Sequence, residues 1–189
     1  MSALGEVVAS STREFTAEAR ELYGSPAFGS FVRVTAGEQV IYGVVYNIVT
    51  EGVDAGRRPV AFGTPWPQVA QEHPQLTKLL RTYFSCLTLG FRQGERIYTY
   101  LPPFPPYIHS FIEECRREEI KELTARPHYL AHILKSGLVV ADQLAAAAIR
   151  QACAVQPDAG EYIRRAGREL RRLLTGDLER LKAILRQLE

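Results

Sequence analysis

The rhythm of apolar positions divides this chain in two. In the first half apolar and polar residues alternate with the period of strands, and in the second they recur with the period of helices. Strands are predicted over residues 6–9, 13–18, 31–35, 39–50, 80–92 and 97–101. Ala36-Gly37-Glu38 and Gln93-Gly94-Glu95 supply hairpin turns. The strand over 39–50 is apolar on both faces, with Val40, Tyr42, Val44, Tyr46 and Ile48 on one and Ile41, Val45 and Val49 on the other. Such a strand needs cover on both sides, as in a barrel wall with something packed against its outside. Gly43 in its middle marks a bend or bulge, a device that closes small barrels. Short strands at hairpin spacing with glycines at the corners predict a barrel rather than a βαβ sheet.

Residues 52–67 are rich in Gly and Pro and read as loop. Residues 68–79 read as a short helix started or interrupted at Pro74. Leu101-Pro102-Pro103-Phe104-Pro105-Pro106 is a stiff connector, because proline fixes φ and removes the amide donor. Beyond it Tyr107, Ile108, Phe111, Ile112 and Cys115 form a helical stripe. Glu113, Glu114, Arg116, Arg117, Glu118 and Glu119 fall on the opposite side, read as a solvated face. Pro127 opens another helix and Gly137 closes it. Residues 139–154, alanine-rich and nearly uncharged, predict a central packed helix. Residues 161–189 carry Leu170, Leu174, Leu181, Leu185 and Leu188 near a heptad seam, with a break at Thr175-Gly176-Asp177. The expected architecture is α+β, a small closed β-barrel domain over residues 1–101 followed by an α-helical domain over residues 107–189.

Composition narrows the function little. A net charge of +2 is too small by itself to imply a nucleic acid or an anionic membrane. No apolar run is long enough to span a bilayer, and Met1 to Val8 lacks the basic and apolar regions of a secretory signal. Cys86, Cys115 and Cys153 are widely spaced, which predicts free thiols and a cytoplasmic, reducing compartment.

The order of motifs in the first fifty residues has a family likeness. Gly5-Glu6-Val7-Val8-Ala9-Ser10-Ser11-Thr12 leads to Phe15, then Pro26-Ala27-Phe28-Gly29-Ser30-Phe31-Val32-Arg33-Val34, then Ile41-Tyr42-Gly43-Val44-Val45-Tyr46. This resembles the HAS-barrel family, small barrels at the N-terminus of HerA-type DNA-translocating ATPases and related to those of rotary ATP synthase subunits. Residues 102–109 resemble a segment that follows such barrels. The resemblance implies oligomer assembly and docking, with a ring-shaped ATPase as one partner. The motor itself is missing. Gly24-Ser25-Pro26-Ala27-Phe28-Gly29 has the glycine spacing of a phosphate-binding loop, but Ser30 stands in place of the lysine and Pro26 removes an amide.

Catalytic and metal constellations are weak. His128 and His132 share a helix face but lack a third ligand, and Tyr129 stands where a metalloprotease needs Glu. His109 and Cys115 are too far apart on a helix to form a nucleophile–base pair. No cofactor, metal or catalytic residue is therefore expected. The leading expectation is a non-catalytic module that docks on a protein partner or on itself through Phe28, Tyr42, Tyr46, Phe104 and Tyr107. The alternative is a nucleic-acid-binding accessory protein. Arg164, Arg168, Arg171 and Arg172 would contact the polyanion, and strand aromatics (Tyr42, Tyr46, Tyr83, Phe84, Tyr98, Tyr100) would stack on bases. Pro102 to Pro106 contains the PxxP spacing that adaptor domains bind, and also serves as an interdomain strut.

Overall fold

The computed structural model describes residues 3–54 and 60–188. Six strands close into a barrel: β1 (Gly5–Ser10), β2 (Glu14–Ala19), β3 (Phe31–Ala36), β4 (Gln39–Gly52), β5 (Leu80–Gln93) and β7 (Phe111–Glu114). Around the ring the order is β2-β1-β7-β3-β4-β5, and the β2–β5 ladder returns to the start. The short β6 (Arg96–Tyr98) extends β5 as a hairpin and takes no part in closure. Every pairing is antiparallel.

The two-faced pattern of β4 has the predicted cause. Ile41 and Val45 point into the barrel, where they pack with Val7, Phe15, Val32, Phe84, Cys86 and Ile112. Tyr42 and Val44 point outward, joining Phe31, Leu87 and Leu89 beneath the helices. The ladder to β5 slips twice: Leu89 of β5 is the extra residue opposite Tyr42 and Gly43, and Tyr46 is the extra residue of β4 between Val45 and Asn47. A β-carbon on Gly43 would lie 2.8 Å from Phe15 Cζ, which explains why no side chain stands there.

One predicted element is corrected. Residues 107–115 are not helical: a turn leads into β7, which fills the gap between β1 and β3. Ile112 faces the barrel core while Phe111 faces solvent, the alternation of a strand. The apolar spacing here fits either template, and the unpaired edges of β1 and β3 decide between them. Strand hydrogen bonds to both neighbours outweigh a short local helical preference. The sixth barrel strand thus lies after the proline connector, not before it.

Helix α3 (Arg117–Leu123) begins only after this strand. Before the ring's later strands, α1 (Trp66–Glu72) and α2 (Leu76–Leu79) occupy the β4–β5 connection and are separated around Pro74, as expected. Then come α4 (Tyr129–Leu134), α5 (Ala141–Cys153), α6 (Ala159–Leu173) and α7 (Leu178–Arg186). Ala145, Ala146, Ala148 and Ala152 of α5 are fully buried, and their small side chains let the neighbouring helices approach closely. Between α6 and α7, Gly176 adopts a left-handed φ of 91° and the Asp177 carboxylate accepts the Arg180 amide at 3.1 Å, ending one helix and capping the next. The outer wall of the barrel and the inner faces of α4 to α7 form one apolar core containing Phe31, Tyr129, Leu144, Tyr162, Leu170 and Ile184.

Candidate functional site

A polar clamp fastens α3 to the barrel. Arg33 of β3 donates through Nε and Nη2 to Glu113 Oε2 of β7 at 2.9 and 2.7 Å, and through Nη1 to Glu119 Oε1 at 2.8 Å. The Tyr42 hydroxyl donates to the same Glu119 oxygen at 3.3 Å and accepts from Arg92 Nε at 2.9 Å. Arg92 also reaches Glu122 at 3.0 Å, and the Arg116 amide caps Glu119 Oε2 at 2.9 Å. Burial alone would raise the Glu119 carboxyl, but the Arg116 amide, the Arg33 guanidinium and the Tyr42 hydroxyl outweigh it and hold it below its ordinary value. Burial, and then the Glu119 charge, push Tyr42 up to about 12. The acidic run read as a solvated face is therefore corrected at Glu119. It is only 7% exposed, because α3 lies against β3 and β4 rather than standing free. A carboxylate held ionised by a fixed arginine is suited to fastening, not to proton transfer.

The docking residues expected from sequence separate into two groups. Tyr42 is fully buried, Phe28 packs against the helical core, and Tyr46 packs there too while donating to Glu14 at 2.8 Å. Those three rings face the chain's own helices. Phe104 and Tyr107 are 67% and 61% exposed. The near-miss phosphate loop is a stretch whose Gly24, Gly29 and Ser30 amides are bonded within the chain. Gly29 N donates to Val45 O at 2.8 Å, and Ser30 N to Ala27 O at 3.0 Å. Gly29 has φ 84°, and a β-carbon there would lie 2.5 Å from Ala147 Cβ, so this glycine serves the contact with α5.

The arginine stripe of α6 is largely neutralised on its own helix. Arg164 and Arg168 pair with Glu161 at 3.0 and 3.3 Å, and Arg172 with Glu169 at 2.6 Å; Arg171 is exposed and has no ion pair among the described residues. The aromatic platform is dispersed. Phe84 lies inside the barrel and Tyr42 under the helices, while Tyr98 and Tyr100 pack on Phe91. His132 Nε2 meets Thr99 O at 2.8 Å, and no group of three residues able to hold a metal ion occurs among the described residues. Cys115 is buried, its thiol pushed up by that burial, whereas His109 is exposed and paired with Glu6, so the two form no catalytic pair.

No family model matches this sequence, and no curated protein does either. Function must be read from the surface. Helices cover the barrel over β3, β4 and β5 and leave the outer face of β7, β1 and β2 open. A shallow concavity of about 710 Å³ on that face is lined by Glu6, Val8, Glu18, Arg20, His109 and Phe111 among others. Phe111 is 63% exposed beside its register partner Glu6, and Val8 stands at the bulge of β1. His109 adopts a left-handed φ of 69°, and its Nδ1 lies 2.5 Å from Glu6 Oε1. A non-glycine residue in that conformation costs roughly 1–2 kcal/mol, and the bond to Glu6 with the two backbone bonds at Val7 offsets it. Phe104, Tyr107 and Ile108, in the segment that leads into β7, are exposed as well. The sequence singles out Phe104 and Tyr107, which are exposed, but not Val8 and Phe111, which are exposed as well. The signal available was the alternation of residues 111–114, which places Phe111 opposite a core isoleucine. Among the described residues, no helix is long and apolar enough to cross a membrane.

Proposed function

We propose that this chain is a non-catalytic docking module that binds a protein partner, or a second copy of itself, through the open face of β7 and β1. The observation that carries this reading is the pair of exposed apolar side chains, Val8 and Phe111, that line the open concavity of β1 and β7. Phe104, Tyr107 and Ile108 are exposed too, in the segment that leads into β7, while the wall of β3, β4 and β5 is covered by helices. Single exposed apolar residues need no explanation, but several together on a rigid wall mark an interaction surface. The Glu6–His109 pair at the centre supplies polar contacts for register. The likeness of residues 5–46 to the HAS-barrel family supports the same reading and makes a ring-shaped ATPase the partner to test first. The nucleic-acid reading is less well supported, because the α6 arginines are mostly paired with Glu161 and Glu169.

The test is affinity isolation of the tagged chain from native lysate, with light scattering for self-association, repeated on Phe111→Asp and Tyr107→Asp. Both positions are exposed, so the fold should survive. The expected outcome is a partner, or an oligomer, lost in the variants. A monomer without partners, or one whose partners persist in both variants, would overturn the proposal.

A further inference from the structure

A second concavity lies elsewhere and shares no lining residue with the docking face. Residues 60–76 of the β4–β5 connection lie against the ribbon those strands form, leaving a cavity of about 600 Å³. Tyr23, Phe62, Trp66 and Val69 form most of its walls, Thr50 and Leu80 contribute from the ribbon, and none of the described lining residues is charged. The Tyr23 and Trp66 rings meet edge to face, with centroids 5.4 Å apart.

Besides this ring contact, Tyr23 is held there through its backbone. It occupies the left-handed region at φ 64°, and its amide donates to Thr82 Oγ1 at 2.8 Å. Thr82, 2% exposed, is bonded in turn to Thr50 Oγ1 at 2.8 Å. A ring fixed by a strained residue would be expected to be buried if it served only the core. Instead Tyr23 is 53% exposed, and Phe62 across the cavity is 50% exposed. Strain maintained by a buried hydrogen-bond pair, around an aromatic-walled void, is the arrangement of a preformed ligand site.

We infer that this cavity binds a small neutral molecule with a flat apolar ring system, seated among Tyr23, Phe62 and Trp66. The volume lies within the range of roughly 300–1,000 Å³ typical of small-ligand pockets. Among the described lining residues none is charged, which favours a neutral ligand, since a charged group would lose its hydration without a partner there. Concavity argues against a folded protein as occupant, because stable protein interfaces need broad surfaces of about 800 Å² on each partner. The inference goes beyond the docking reading and stands or falls separately.

Trp66 is the only tryptophan of the chain, so its emission reports on this cavity alone. The experiment titrates the full chain with N-phenyl-1-naphthylamine, a neutral aromatic probe that accepts energy from tryptophan. Saturable quenching of Trp66 is expected. Phe62→Ala and Tyr23→Ala should each weaken binding about tenfold, the loss that goes with removing one aromatic wall. Phe104→Ala, on the docking face, should leave the titration unchanged. Circular dichroism of each variant confirms that the fold is retained. No saturable quenching overturns the inference. So does quenching that both cavity variants leave intact, or a Trp66 response to a protein partner but not to the probe.

Discussion

Replacing Glu119 with alanine cuts the barrel–helix clamp at its centre, and the structure sets the size of the loss. Removing one member of a buried ion pair costs roughly 3–5 kcal/mol when the other charge is stranded. Arg33 is not stranded, because Glu113 still holds it at 2.7 Å. What remains is the loss of one arginine contact and of an acceptor for the Arg116 amide and the Tyr42 hydroxyl. At about 1 kcal/mol each, Glu119→Ala should destabilise the chain by about 2–3 kcal/mol. Glu119→Gln keeps one acceptor oxygen but loses the charge and sets its NH2 against a donor that the second carboxylate oxygen satisfied, so about 1–2 kcal/mol is expected. Urea denaturation at neutral pH, with the slope m unchanged, measures both. The pH dependence gives a second reading. Glu119 titrates below its ordinary value in the folded chain, so its contribution is present above the unfolded carboxyl value of about 4.3. That contribution is lost as the pH falls through the lower folded value. The advantage of the native chain over Glu119→Gln should therefore be constant down to about pH 5 and shrink below about pH 4. A loss under about 0.5 kcal/mol for Glu119→Ala, or an advantage that persists undiminished to about pH 3, would refute the reasoning.

Other positions give equally direct expectations. Gly43→Ala places a β-carbon against Phe15 inside the barrel and should cost about 1–3 kcal/mol, seen as a lower Tm. Gly29→Ala combines a left-handed φ with a clash on α5 and should cost at least about 2 kcal/mol, measured by urea denaturation. Cys86 and Cys115 are buried with raised thiol values and should resist Ellman's reagent until the chain unfolds, while half-buried Cys153 reacts slowly in the native state. Arg164→Ala combined with Arg168→Ala removes an exposed pair network and should change stability by less than about 0.5 kcal/mol, with no DNA retardation at low salt before or after the change.

Local rules made much of the barrel legible. The alternation of β4 over residues 40–46, apolar on both faces, announced a wall with two covered sides, and Gly43 marked where the ladder slips, though the extra residue there is Leu89 of β5. The break at Thr175-Gly176-Asp177 was equally local, because a left-handed glycine and a capping aspartate act within a single turn. Residues 107–115 resisted the same rules. Their strand state is imposed by the edges of β1 and β3, which lie about a hundred and about eighty residues earlier in the chain and which no local window contains. The exposure of Phe111 was hidden for the same reason, since it could be placed on the barrel's open face only once its strand neighbours were known. Glu119 was misjudged for a related reason: charge spacing on a helix locates a face, but not what that face will meet.

The late position of β7 ties the two halves of the chain together in time as well as in space. During synthesis the barrel cannot close until residues 111–114 have emerged past the proline connector. Until then β1 and β3 present bare backbone edges, each ready to accept a foreign strand. A chain cut within the connector would carry those edges permanently. The proline segment thus joins a sheet to its own last stave, and separating the halves there would expose an adhesive seam where the intact chain has a closed wall.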